Sequence, residues 1–91
     1  MNLEEKYISL IKFSIYKTTP QAQIFIFGSR AKNTNQKFSD IDIAIKDKNL
    51  NNTKLAKIRF ELEESELPYK VDISDFNDLS SEIIKDLIKI K

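Results

Sequence analysis

A chain of 91 residues with 15 basic and 14 acidic side chains is sized for a single domain over 1–91, and its net charge of +1 gives no global field to attract nucleic acid. It contains no cysteine and no histidine, which excludes disulfides, thiolate zinc sites and an imidazole base. No apolar run approaches the roughly 20 residues that span a bilayer, and MNLEEKY lacks a basic then apolar leader, so a cytoplasmic, membrane-free chain is expected.

The first periodic segment is helical. Asn2 and Glu5 have capping-box spacing, and Leu3, Tyr7, Ile8, Ile11 and Ile15 then recur at helical intervals, which predicts a helix from Asn2 to Lys17. Thr18, Thr19 and Pro20 end it. The run Gln23 to Phe27 is apolar and rich in β-formers, so a buried strand is expected to finish at Gly28, the only glycine. Ser29 to Lys32 suits a helical turn and Asn33 to Lys37 a polar loop.

From Ser39 to Lys46 the sequence alternates. Ser39, Ile41, Ile43 and Ile45 fall on one face of a strand, and Asp40, Asp42 and Ala44 on the other. A helix capped by Asn52 or Thr53 is expected to run to about Ser65 with the stripe Leu55, Ile58, Leu62. Pro68 closes that connection. Tyr69 to Ser74 reads as a third strand, with Tyr69, Val71 and Ile73 on one face and Lys70, Asp72 and Ser74 on the other. A last helix from about Ser80 to Ile90 would bury Ile83, Ile84, Leu87 and Ile88, its terminal lysines complementing the helix dipole. Phe25, Phe27, Phe38 and Phe60 are expected in the core. The order predicts an α/β (α+β) fold, a small mixed three-stranded sheet flanked by helices.

Connection lengths bring the acids together. About ten residues join strands one and two, which favours an antiparallel pair, whereas a whole helix between strands two and three allows a parallel crossover. Gly28, Ser29, Asp40, Asp42 and Asp72 then share one edge of the sheet. Carboxylates two apart on a strand, with Cα atoms about 6.6 Å apart, can tilt toward one cation, and an all-oxygen set suits Mg²⁺ or Mn²⁺. Gly28 permits positive φ and close approach, the following amides can attract phosphate, and Ser29, Arg30 and Lys32 can add donors. Phosphoryl or nucleotidyl transfer needs these parts and no histidine. Each feature alone has a plainer reading. An Asp-x-Asp strand is usually a solvated face, Gly-Ser a simple turn, and Arg30 and Lys32 loop charges. Asp75 could replace Asp72, although alternation puts it on the opposite face. Joint occurrence favours a site.

These residues resemble a known pattern. Gly28-Ser29, then ten residues, then Asp40-Ile41-Asp42, within GSRAK…SDIDIAI and followed by VDISDF, is similar to the GSRARG…SDIDL and VDL segments of the minimal nucleotidyltransferases, members of the polymerase-β-like superfamily. The likeness spans about Ile24 to Phe76. It implies that Asp40, Asp42 and Asp72 are catalytic ligands of Mg²⁺ or Mn²⁺ and that Gly28 and Ser29, with Arg30, cradle the triphosphate of ATP. It further implies an antitoxin that transfers AMP to a tyrosine of a HEPN-domain ribonuclease toxin. Asn33 replaces the family's glycine, and asparagine tolerates the left-handed geometry there. Two other functions fit the same residues. One is an antitoxin that neutralises by binding alone through a vestigial site, and the other is transfer to a small molecule or RNA. The apolar first and last helices are candidate docking surfaces for a partner.

Overall fold

The computed structural model describes residues 3–34 and 39–91. Helix α1 spans Glu5–Tyr16, strand β1 Gln23–Phe27, β2 Ile41–Lys46, helix α2 Asn52–Glu63 and β3 Val71–Asp75. A 3₁₀ turn at Phe76–Asp78, a short helix α3 at Ser81–Ile84 and a strand β4 at Ile88–Lys89 complete the chain. The sheet has four strands in the order β3-β2-β1-β4. The mixed α/β architecture agrees with the sequence, but the sheet gains a strand.

The pairings follow from connection length. β1 and β2 are antiparallel, with Phe27 opposite Asp42 and Phe25 opposite Ala44. β2 and β3, joined through α2, are parallel, with Asp42 opposite Asp72 and Ala44 opposite Ser74. Because side chains alternate across a strand, this register sorts the sheet into two faces. Ile24, Ile26, Ile41, Ile43, Ile45 and Ile73 turn to one face and pack with Ile11 and Ile15 of α1 and Leu55, Ile58 and Leu62 of α2. The β-branched side chain is stiff and fits a pleated surface, so an isoleucine layer sacrifices little rotamer freedom there. Each such side chain contributes about 1.5–3 kcal/mol of burial.

Local signals set most element ends. Thr18 N–H and Thr19 N–H both donate to Ile15 O, and Thr19 Oγ1 donates to the same carbonyl, which satisfies the end of α1 before Pro20. Asn51, one residue before the expected cap, accepts the Lys54 amide at 2.8 Å, so α2 begins at Asn52 and ends at Glu63. Asp75 Oδ1 accepts from Asn77 N–H and starts the 3₁₀ turn. α1 begins later than expected, with Glu4 at its cap position and no side-chain cap bond. Asn2, the expected capping residue, lies outside the described residues, as do residues 35–38 and with them Phe38.

Two expectations are corrected. The helix over 80–90 is four residues long, capped by Ser80, whose hydroxyl accepts from Ile83 N–H. Beyond it the chain extends and pairs with the free edge of β1, where Ile90 N–H donates to Ile24 O and Ile24 N–H to Lys91 O, each at 2.8 Å. A strand edge presents a row of unsatisfied backbone groups, and Ile88 and Ile90 alternate with lysines in a way that suits covering it. The lysine-rich end therefore complements no helix dipole. Phe60 is also not core, because it lies 59% exposed on the outer side of α2. Phe25 and Phe27 are half-buried on the second face of the sheet, where Phe25 meets Phe76 with ring centroids 5.3 Å apart.

Candidate active site

The second face of the sheet carries the acids. Asp42 and Asp72 are register partners on adjacent parallel strands, which places their Cα atoms about 4.8 Å apart with side chains on the same side. Asp40 precedes β2 and is exposed, Asp42 is half-buried, and Asp72 is exposed on the outermost strand. Burial first, then the charges of Asp72 and Asp40, push the Asp42 carboxyl above its ordinary value. The three acids therefore form one electrostatic group centred on Asp42.

Gly28 fits against that centre. Its φ of +74° lies in the region that favours glycine. A Cβ there would collide with Asp42 Oδ2 and stand 3.3 Å from Asp42 Cγ. The lone glycine thus allows the turn and leaves room for the carboxylate. The following residues wind into a tight turn: Lys32 N–H reaches Gly28 O at 3.3 Å, and Thr34 N–H reaches Ser29 O at 2.9 Å. Asn33 closes it at a φ of +59°, the left-handed conformation that asparagine tolerates.

The two basic residues of the turn have different surroundings. Lys32 is exposed and pairs with Asp86 at 3.3 Å, so its charge is within reach of solvent and of a ligand. Arg30 is only 3% exposed, and its Nε and Nη2 donate to Ser39 O at 3.3 and 2.9 Å. Its guanidinium lies 4.3 Å from the centre of the Tyr69 ring. Sequence reasoning placed Arg30 among the phosphate ligands and missed both of these contacts. Asp75 lies on the opposite face from Asp72, opposite Ile45, and is engaged with the 3₁₀ turn.

The donor set is all oxygen, without imidazole or thiolate, and suits a hard divalent cation. Among the described residues, no three acidic side chains are gathered into a ready metal cage. A hard cation of this kind completes its coordination with water and substrate phosphates. A cation would also relieve the repulsion concentrated on Asp42. A cleft of about 340 Å³ between α2 and β3 is lined by Arg59, Leu62, Tyr69 and Asp72, with neither Asp40 nor Asp42 on its wall. A larger cleft, of about 460 Å³, lies at the other end of the sheet around Pro20, Lys46 and Lys54, away from every acid of the group. Volume therefore does not mark the chemistry here.

Comparison with known proteins bears on this arrangement. The family model described as Polymerase beta, Nucleotidyltransferase matches residues 10–91. A Haemophilus influenzae protein named probable protein adenylyltransferase MntA is 27% identical over 90 residues, which cover 98% of this chain and 78% of that protein. A crystal structure of a toxin–antitoxin with AMP-PNP superposes with a TM-score of 0.76 at 24% identity, over 92% of this chain and 72% of that one. A second, of a mutant toxin–antitoxin MntA–HpeT, does so with a TM-score of 0.71 at 24% identity, over 99% and 73%. These two likenesses bear on the fold. Among the described residues no helix is long and apolar enough to cross a membrane.

Proposed function

The chain belongs to the polymerase β nucleotidyltransferase family, and on that premise we propose that it is an antitoxin that transfers AMP from ATP to a tyrosine of a HEPN-domain ribonuclease toxin. The observation that carries this reading is the grouping of Asp42, Asp72 and Asp40 beside Gly28 on the face of the sheet opposite the isoleucine layer. The MntA relative's name supports protein adenylylation, and the toxin–antitoxin structure with AMP-PNP supports an adenine nucleotide as donor. An ATP-consuming antitoxin acts in the cytoplasm.

In this reading Asp40, Asp42 and Asp72 hold Mg²⁺ or Mn²⁺, which when bound neutralises phosphate charge and orients the α-phosphate. The Gly28–Ser29 turn holds the triphosphate through backbone amides and the Ser29 hydroxyl. Lys32 exchanges Asp86 for phosphate oxygens. The tyrosine oxygen of the partner attacks the α-phosphorus, the bond to the bridging oxygen breaks, pyrophosphate leaves, and Asp72, exposed on the outermost strand, accepts the phenolic proton. Asp42 stays ionised throughout, a state that its surroundings disfavour until a cation is present.

The test is incubation of purified chain and toxin with α-labelled ATP and Mg²⁺, native against Asp42→Asn. Labelled toxin with the native chain only is the expected result. Toxin silenced by complex formation without label would favour neutralisation by binding, and label on the toxin that persists in the variant would remove Asp42 from the mechanism.

A further inference from the structure

We propose that Arg30 is a positioning residue that fixes the metal-ligand face from behind, rather than a ligand of the triphosphate. The inference rests on the reading of Asp40, Asp42 and Asp72 as ligands and deepens it. One guanidinium joins the three segments that bring the site together. It is carried by the turn that begins at Gly28, it holds Ser39 O with two donors, and it lies against Tyr69, three residues before Asp72.

The Ser39 carbonyl and the Asp40 amide share one rigid peptide plane, so two donors on Ser39 O fix the plane from which Asp40 departs. The next amide, Ile41 N–H, donates to Lys70 O at 2.9 Å, which locks the start of β2 to the residue after Tyr69. Tyr69 is itself braced by Tyr7 of α1 in an edge-on contact, centroids 5.6 Å apart. The series Tyr7, Tyr69, Arg30, Ser39 therefore runs from the helix layer to the ligand face. A planar fork that donates with one edge and stacks with its flat side is required, and a lysine ammonium can do only part of this. A side chain 3% exposed and engaged in this way must leave its partners before it can reach phosphate.

Arg30→Lys, Tyr69→Leu, Tyr69→Phe and Asp42→Asn chains are compared with the native protein. Mn²⁺ binding to the isolated chain is read from the spin-resonance signal of free Mn²⁺, and the Arg30 Nε–H resonance is read by NMR. Loss of an outer contact of this kind weakens metal binding by about tenfold or more. Arg30→Lys and Tyr69→Leu are each expected to show that loss, their double variant to be no worse than the weaker single, and Tyr69→Phe to bind as the native chain. The Arg30 Nε–H signal is expected to be ring-shifted and slow to exchange, and to lose both properties in Tyr69→Leu. In transfer assays with Mg²⁺ held at saturation, Arg30→Lys lowers kcat and leaves the KM for ATP unchanged.

Native-like Mn²⁺ binding in Arg30→Lys, with loss in Asp42→Asn, overturns the proposal alone. So does a raised KM for ATP at unchanged kcat, the mark of a phosphate ligand. Native-like Mn²⁺ binding in Asp42→Asn overturns the ligand reading of the site and this proposal with it.

Discussion

The space that a side chain would occupy at Gly28 is filled by the carboxylate of Asp42. Two residues 14 positions apart thus constrain each other: the strand can present an acid there only because the turn before it lacks a Cβ. Gly28→Ala meets two penalties, the positive φ, which costs about 1–2 kcal/mol in an L-residue, and the collision with Asp42 Oδ2. Urea denaturation is expected to show at least the first. Displacement of Asp42 by the methyl group is expected to lower AMP transfer by about 100-fold, since misplacement of about 1 Å has that effect.

Asp42 sets a pH dependence of defined sign. Its carboxyl is raised in the folded chain by burial and by Asp72 and Asp40, so between the unfolded and folded values the native state binds more protons. Stability without divalent cations therefore falls as pH rises through that interval. The penalty is full above the folded value and absent below the unfolded one. Asp42→Asn is expected to be more stable than the native chain at neutral pH in chelator, and to lose this advantage on acidification. Mn²⁺ raises the native melting temperature and leaves that of the variant in place. Melts over a pH series, with chelator or Mn²⁺, read all three effects.

Phe60 and Ile26 make a contrast of burial against residue type. Ile26 is fully buried between β1 and the helices, and Ile26→Ala is expected to cost about 2–5 kcal/mol. Phe60, the larger side chain, is 59% exposed, and Phe60→Ala is expected to change stability by no more than about 0.5 kcal/mol. Chemical denaturation of the two variants checks the assignment of the core.

The edge pairing of β4 has its own test. Ile90→Pro removes the donor to Ile24 O, although Lys91 N–H still approaches the same carbonyl at 3.3 Å. A loss of about 1 kcal/mol is expected. Faster amide exchange at Ile24, whose N–H donates to Lys91 O, accompanies it. Unchanged exchange at Ile24 would mean that the strand does not cover this edge.

The face that carries the acids was legible because strand alternation is strict. Ile41, Ile43 and Ile45 against Asp42 and Ala44 fix which side faces the helices, and connection length then fixes antiparallel β1–β2 and parallel β2–β3. Gly28 was legible as a turn, but its fit against Asp42 is a tertiary contact with no local signal. The end of the chain was not legible. Ile83, Ile84, Leu87 and Ile88 match a helical stripe, and the alternation over Ile88 to Lys91 is too short to outweigh it without knowledge of the free β1 edge. Phe60 was misjudged because hydrophobicity reports what a residue can bury, not which side of α2 it is on. The charge of Arg30 was legible, but its contacts with Ser39 and Tyr69 are tertiary and depend on its place within the turn.

The most direct measurement of the central claim is the intact mass of the cognate toxin after co-expression with this chain. With the native chain the toxin is expected to carry the added mass of AMP, which peptide fragmentation then assigns to tyrosine, and with Asp42→Asn it is expected to carry none. An unmodified toxin in the presence of the native chain, or the same added mass with Asp42→Asn, would contradict an adenylyltransferase site built on Asp42.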